Sequence, residues 1–125
     1  MSEIFLKEES YQLVGACMEV YNEMGSGFLE AGYQECLEYE LTDRSIPFVS
    51  QAQLSLRFKE RMLKSIYIPD FVIDSKIIVE IKGVSDLNDK FRAQMLNYLK
   101  ATKLRLGLLV NFGRHGKVQY ERIVR

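Results

Sequence analysis

Residues 68–82 read IPDFVIDSKIIVEIK, and this stretch decides the fold and the chemistry expected of the 125-residue chain. Asp70 stands ten positions before Glu80, and Ile81 and Lys82 follow at the end of an apolar strand. Two carboxylates and an ammonium on one sheet cost folding free energy, because each ion loses hydration and the like charges repel. Such a cluster usually persists for chemistry. This spacing is typical of a divalent metal held against a phosphate.

The same stretch predicts a β-hairpin whose register determines whether the two acids meet. Apolar, β-branched residues flank Asp74 and Ser75 on both sides, as expected of two paired strands. Asp70 lies opposite Glu80, and on the same face, only if the numbers of paired residues sum to about 150. That register requires a three-residue loop, residues 74–76, or an equivalent bulge. A two-residue loop would separate the carboxylates.

Hydrophobic periodicity elsewhere predicts the element order α-α-β-β-β-α-β-β. A strand, a helix of ordinary length and another strand form a right-handed crossover, so the strands at 76–81 and 104–111 are expected to be parallel. The fold class is therefore α/β, a three-layer sandwich with a mixed central sheet flanked by helices. The predicted helices are 7–24, 29–44 and 86–103, and the predicted strands are 48–60, 62–73, 76–81, 104–111 and 117–124.

Length and composition place the chain among globular proteins. With 125 residues, 47% hydrophobic and 27% charged, it is expected to form a single domain over residues 1–125. No stretch reaches the roughly 20 apolar residues needed to span a bilayer, and the start, MSEIFLKEES, has no apolar signal core. The sequence predicts a cytoplasmic protein without a membrane partner.

Charge is divided unevenly along the chain although the net charge is zero. Residues 1–43 contain ten acids and one base, a net charge of −9, and residues 44–125 contain seven acids and sixteen bases, a net charge of +9. The basic part can bind a polyanion. The alternative is an acidic helical surface beside a basic sheet edge, without function.

The Glu80-Ile81-Lys82 triplet suggests a specific chemistry. In a strand, Glu80 and Lys82 project to one face and Ile81 to the other. Asp70, Glu80 and the backbone carbonyl of Ile81 then form a partial oxygen shell suited to Mg²⁺ or Mn²⁺. Such a cation offsets charge that grows on phosphorus, and Lys82 orients water or stabilises the same charge. The alternative is an ordinary Glu–Lys pair on an exposed strand.

Three further residues extend this hypothesis. Glu30 opens the second helix, where a carboxylate is favoured by the helix dipole even without function. The glycines before it can bring it close to the sheet as a third acid. Gln94 and Tyr98 are one turn apart on the third helix, so both can face one site. A structural hydrogen bond is the alternative role for Gln94.

These residues resemble the GxxExxY protein family, which is placed in the PD-(D/E)XK nuclease superfamily with the restriction-endonuclease-like fold. The segment GFLEAGY has Gly27, Glu30 and Tyr33 at the signature positions. Four further segments are similar to the rest of the family: YIPDFVID, IIVEIKG, QMLNYLKAT and LGLLVNFG. The resemblance implies an active-site set of Glu30, Asp70, Glu80, Lys82 and Gln94, with Tyr98 and Tyr33 as accessory residues.

The function expected from the sequence is metal-dependent hydrolysis of phosphodiester bonds in nucleic acid, with DNA the expected substrate and Mg²⁺ or Mn²⁺ the cofactor. The alternatives are a non-catalytic binding module that retains the fold, and hydrolysis of a smaller phosphodiester. Exposed apolar residues on the first helix suggest a homodimer. The predicted phosphate contacts are Lys90, Arg92, Lys100, Lys103, Arg105, Arg114 and Lys117.

Overall fold

The computed structural model of the protein describes residues 5–125. The order of elements follows the prediction, except that two predicted strands are each divided into two. The elements are α1 (Lys7–Met24), α2 (Glu30–Asp43), β1 (Phe48–Ser50), β2 (Leu54–Phe58), β3 (Arg61–Tyr67), β4 (Phe71–Ile73), β5 (Ile77–Lys82), α3 (Asp89–Thr102), β6 (Leu106–Asn111) and β7 (Gln119–Val124).

Backbone chemistry explains both divisions. Pro69 lies between β3 and β4, and a proline has no N–H to donate to a neighbouring strand. Gln51 follows β1 with a φ of 57°, in the left-handed region, so the extended backbone ends there. The consequence is that β2 and β3 leave the main sheet and pair with each other as a separate two-stranded sheet.

The central sheet has five strands in the order β1-β4-β5-β6-β7. Strands β5 and β6 are parallel, as the crossover through α3 predicted, and the other pairs are antiparallel. Helices α1 and α2 cover one face through an apolar cluster that includes Val79 and Ile81. Helix α3 and the β2–β3 hairpin cover the other face through a second cluster around Ile78 and Met95. The architecture is thus a mixed sheet between helical layers.

The hairpin of β4 and β5 has the register that the sequence analysis required. Phe71 pairs with Val79 and Ile73 with Ile77, so the paired numbers sum to 150. The loop is residues 74–76, with Asp74 and Ser75 at φ of 50° and 57°. One residue beyond the last pair, Asp70 therefore lies opposite Glu80.

The apolar stripes of the first two helices differ slightly from the prediction. In α1 the fully buried apolar residues are Leu13, Ala16, Cys17 and Val20 rather than the predicted stripe alone. Before α2, Leu29 is 84% exposed although its spacing predicted a core position, because the helix begins only at Glu30. No helix within residues 5–125 is long and apolar enough to cross a membrane. Residues 1–4, part of the segment without an apolar signal core, lie outside the described residues.

A network around Asn111 fixes the loop that leaves β5. The buried Asn111 amide accepts the N–H groups of Val84 and Gly113 at 3.0 Å each and donates to the Val84 carbonyl at 2.8 Å. This network holds the chain directly after Lys82. Gly113 packs so closely on the loop that an added Cβ would lie 2.5 Å from Val84 backbone atoms.

We therefore expect Gly113→Ala to destabilise the protein by about 2 kcal/mol, because neither of the two crowded backbones can give way cheaply. Urea unfolding followed by circular dichroism measures the change. Gly32→Ala in α2 is the matched control: its Cβ would meet only ordinary contacts, and alanine favours a helix by about 1 kcal/mol over glycine. Equal stability of Gly113→Ala and the unmodified protein would contradict the prediction.

Candidate active site

Strand β5 presents its charged residues to one face of the sheet. Val79 and Ile81 are buried in the cluster beneath α1 and α2. Because side chains alternate along a strand, Glu80 and Lys82 point to the other face, toward α3, where both are half-buried. Two charges are thus held together by the apolar residues between them.

Asp70 joins this face at the edge of β5. Its Oδ2 accepts the N–H of Ile81 at 2.6 Å, taking the place of the backbone partner that β4 no longer provides. Burial raises the pKa of Asp70, and the charge of Glu30 raises it further, against the lowering effects of the Ile81 N–H and of Lys82. The predicted pair of carboxylates is therefore adjacent and partly desolvated.

Glu80 is the more strongly perturbed acid. Burial raises its pKa from 4.5 to about 7, and the Asp70 charge also raises it. The hydroxyl of Tyr67 donates to Glu80 Oε1 at 2.5 Å, which favours the charged form, as does Lys82. At neutral pH the carboxyl group is close to half-protonated when no cation is bound.

Sequence reasoning did not single out Tyr67. The side chain is buried, and its ring stacks on that of Tyr98 with centroids 3.6 Å apart and planes at 5°. Burial and the Glu80 charge raise its pKa well above the usual range, so the hydroxyl remains a donor. Its position three residues before Asp70 gave a signal only if β3 was known to end beside β5.

Lys82 is held by an aromatic ring rather than by a carboxylate. Its Nζ lies 4.8 Å from the centroid of the Phe91 ring, a cation–π contact with the first turn of α3. Within residues 5–125 it forms no ion pair. The ammonium therefore remains available to an anionic group in front of Glu80.

A cleft of about 380 Å³ opens beside these groups. Glu80, Lys82, Gln94 and Tyr98 line it together, so the predicted pair on α3 does face the triplet on β5. Gln94 is exposed and makes no side-chain hydrogen bond within the described chain. The structural hydrogen bond that was the alternative role for Gln94 is not formed.

Glu30 reaches the loop after Lys82 from the start of α2. Its Oε1 accepts the N–H of Gly83 at 3.1 Å. Tyr33 closes the glycine elbow that precedes it, because its hydroxyl donates to the Gly25 carbonyl at 2.5 Å and its ring stacks on Phe112 with centroids 4.4 Å apart. Glu30 thus lies at the rim of the site, and Tyr33 supports it from the core.

The donor set fits a small divalent cation, with few protein ligands. No group of three or more His, Cys, Asp or Glu side chains within residues 5–125 is placed to hold a metal. Asp70 and Glu80 supply two carboxylates. The Lys82 carbonyl accepts from Phe112 on the β6 side, so the Ile81 carbonyl faces the Asp70 side, where β4 has ended. Mg²⁺ is usually bound through one or two carboxylates, water and substrate phosphates.

The structure divides the predicted phosphate contacts between two edges of the sheet. Lys90 in the first turn of α3, and Arg114 and Lys117 after β6, lie at the edge where β5 ends in Lys82. Helix α3 runs back toward the opposite edge, roughly 17 Å away at the usual strand rise. Lys100, Lys103 and Arg105 lie near that edge, and the Arg92 guanidinium is bound by Glu121 and Asp89.

Replacing Tyr67 with Phe tests the hydrogen bond to Glu80. We expect Tyr67→Phe to raise the pKa of Glu80 further and to cost about 2 kcal/mol of stability at pH 8, because a charged acceptor loses its donor while the Tyr98 stack is kept. Urea unfolding at pH 5 and pH 8 measures this. A loss of equal size at both values would show that only packing was affected.

The five-stranded mixed sheet, its flanking helices and the Asp and Glu-x-Lys on neighbouring strands define a restriction-endonuclease-like fold. Over residues 7–123 the chain matches the family model of the PD-(D/E)XK nuclease superfamily, and it belongs to that superfamily. The comparison with curated proteins finds no match.

Proposed function

We propose that the protein is a metal-dependent nuclease that hydrolyses phosphodiester bonds of nucleic acid, with DNA as the substrate. One observation carries the proposal: Glu80 and Lys82 share the face of β5 that lines the cleft, and Asp70 lies against the backbone between them. Membership of the superfamily supports the reaction class. Single-domain organisation and a cytoplasmic location remain predictions from the sequence.

In this proposal Asp70, Glu80 and the carbonyl of Ile81 hold Mg²⁺ or Mn²⁺. The cation supplies a Lewis acid that neutralises charge on the phosphate. Lys82 stabilises the negative charge that grows on the non-bridging phosphate oxygens as water attacks phosphorus. Gln94 orients the attacking water or the phosphate by hydrogen bonding, and Tyr98 supports Tyr67, which in turn holds Glu80.

We also propose membership of the GxxExxY family, for which the structure offers a physical reason at each signature position. Gly27 has a φ of 110°, which favours glycine. Tyr33 ties the elbow to the core. Glu30 is thereby delivered to the Gly83 N–H at the rim of the site. In this view the signature positions the start of α2 against the loop after Lys82.

The proposed nucleic-acid contacts at the cleft edge are Lys82, Lys90, Arg114 and Lys117. They lie at the edge of the sheet where β5 and β6 end, whereas Lys100, Lys103 and Arg105 would contact only a nucleic acid that extends across α3. Two exposed apolar residues on α1, Tyr11 and Met18, remain available for the predicted homodimer. Lysine and arginine contacts to phosphate position a strand without reading its sequence.

Cleavage of a labelled oligonucleotide duplex with Mn²⁺, Mg²⁺ or EDTA tests the proposal. We expect cleavage with either cation and none with EDTA, and loss of cleavage in Glu80→Gln with the circular dichroism spectrum unchanged. Hydrolysis of a small diester such as bis-p-nitrophenyl phosphate, without cleavage of any polymer, would favour the smaller-substrate alternative and overturn the polymer assignment.

The second candidate is a non-catalytic nucleic-acid or protein-binding module. The observation that favours it is the small acid count of the site, since Glu30 is bonded to Gly83 and no three-carboxylate group forms within residues 5–125. Such a module would bind nucleic acid or a protein equally well with and without Mn²⁺. It would also be indifferent to Glu80→Gln.

A further inference from the structure

The β2–β3 hairpin stands apart from the central sheet. Its strand β2 packs on α3 through Leu54 and Leu56, which contact the second apolar cluster. Strand β3 is exposed from Arg61 to Ile66 and is buried only at Tyr67. The hairpin is thus anchored at one end, and one of its strands is open to solvent along about 20 Å.

This exposed hairpin is basic. Residues 57–64 contain four cationic side chains and one acid, a net charge of +3. Within residues 5–125 none of the four forms an ion pair, in contrast to Arg44, Lys76 and Arg92 elsewhere. A surface that carries unpaired charge of one sign attracts a polyanion. The four cationic residues are Arg57, Lys59, Arg61 and Lys64.

The hairpin is continuous with the candidate active site. Ile66, Tyr67 and Ile68, at the end of β3 and just beyond it, line the same cleft as Glu80 and Lys82. A phosphate chain held along β3 would therefore pass directly into the cleft. The exposed length matches about six phosphates of one strand, at the 3.4 Å spacing of DNA.

The tip of the hairpin carries an aromatic ring in the open. Phe58 is 61% exposed, and the Nζ of Lys59 lies 5.5 Å from its ring centroid. A solvated aromatic next to cations is an arrangement that accepts a stacked base while the cations bind phosphates. An acidic protein surface would use the charges alone and leave the ring without a partner.

We propose that the β2–β3 hairpin is a nucleic-acid-binding arm that leads a polynucleotide strand into the cleft. The inference rests on the proposed nuclease function and deepens it, because it assigns the site to polymers rather than to small phosphodiesters. The arm supplies the extended contact surface that the cleft, about 380 Å³, does not provide.

The test compares the double substitution Arg61→Ala/Lys64→Ala with the control Lys7→Ala/Lys76→Ala, which removes two charges from the α1 side of the sheet. Fluorescence anisotropy of a labelled duplex in EDTA, at 50 to 200 mM NaCl, measures affinity. We expect the slope of log K against log salt to shrink by about 2 in the arm variant and to stay unchanged in the control. Equal slopes in both variants would overturn the arm.

Two further measurements separate this inference from the nuclease proposal. With Mn²⁺, the arm variant should cleave bis-p-nitrophenyl phosphate like the unmodified protein but show a higher KM for the duplex. If no form of the protein cleaves while the arm variant still loses affinity, the nuclease proposal fails and the arm stands. If the arm variant changes only the sedimentation coefficient and not the affinity, the hairpin is a self-association surface and the arm is overturned.

Discussion

Lys82→Met should reduce the rate of duplex cleavage by about 10²- to 10³-fold, the loss typical when one group that stabilises developing charge is removed. Lys82 forms no ion pair within residues 5–125, and its contact with the Phe91 ring is one that an unbranched apolar chain can also make. The substitution should therefore leave folding intact. Single-turnover cleavage with saturating Mn²⁺ measures the loss at the chemical step.

Lys90→Met is the matched control for this prediction. It removes the same charge from the same edge of the sheet, but Lys90 is not among the residues that line the cleft. Its effect should be confined to duplex affinity and its salt dependence, with a slope smaller by about 1. Losses of equal size at the chemical step in both variants would contradict a special role for Lys82.

Glu80→Gln should increase the stability of the metal-free protein at pH 8 by up to about 3 kcal/mol. Burial raises the pKa of Glu80 from 4.5 to about 7, and one pKa unit corresponds to about 1.4 kcal/mol. The folded protein therefore binds this proton more tightly than the unfolded chain does. As the pH rises from 4.5 to about 7, the free energy of unfolding falls through Glu80, and the loss is complete above that range.

Thermal melts in EDTA at pH 5 and pH 8 test this prediction. The gain in Tm from Glu80→Gln should be near 10 °C at pH 8 and small at pH 5, where the carboxyl group is protonated in the folded state. Asp70→Asn should show the same sign, since burial also raises the pKa of Asp70 and an amide oxygen can still accept the Ile81 N–H. A drop of several degrees would instead mark the acid as structural.

The same melts separate the metal-binding role from the structural one. Mn²⁺ should raise the Tm of the unmodified protein, because a ligand that binds only the folded state stabilises it. This gain should be lost in Glu80→Gln and Asp70→Asn, although both begin from a higher Tm in EDTA. An equal gain in all three proteins would place the cation elsewhere.

Local patterns were enough to predict the part of the fold that holds the acids. The flanking β-branched residues and the loop at 74–76 determined the register of β4 and β5, and the helical period of residues 86–103 predicted the parallel crossover. Both depend on neighbours in sequence. The convergence of Asp70 on Glu80 followed directly from the register.

The remaining features depend on where elements lie in space. Residues 48–60 alternate well enough for one strand, but Gln51 turns the chain out of the sheet, and a sequence period does not show which sheet a strand joins. Tyr67 was missed for this reason. Lys100 and Lys103 seemed close to the site only because they follow Gln94 along α3, whereas the helix axis carries them toward the other edge.

The Tyr67–Tyr98 stack gives the protein a built-in optical signal. The chain has seven tyrosines and no tryptophan, so its aromatic circular dichroism is free of indole bands. A rigid pair of rings 3.6 Å apart, one of them hydrogen-bonded to Glu80, contributes strongly to that spectrum. A change in the charge or contacts of Glu80 would then alter the spectrum directly, so ligand titrations need no attached dye.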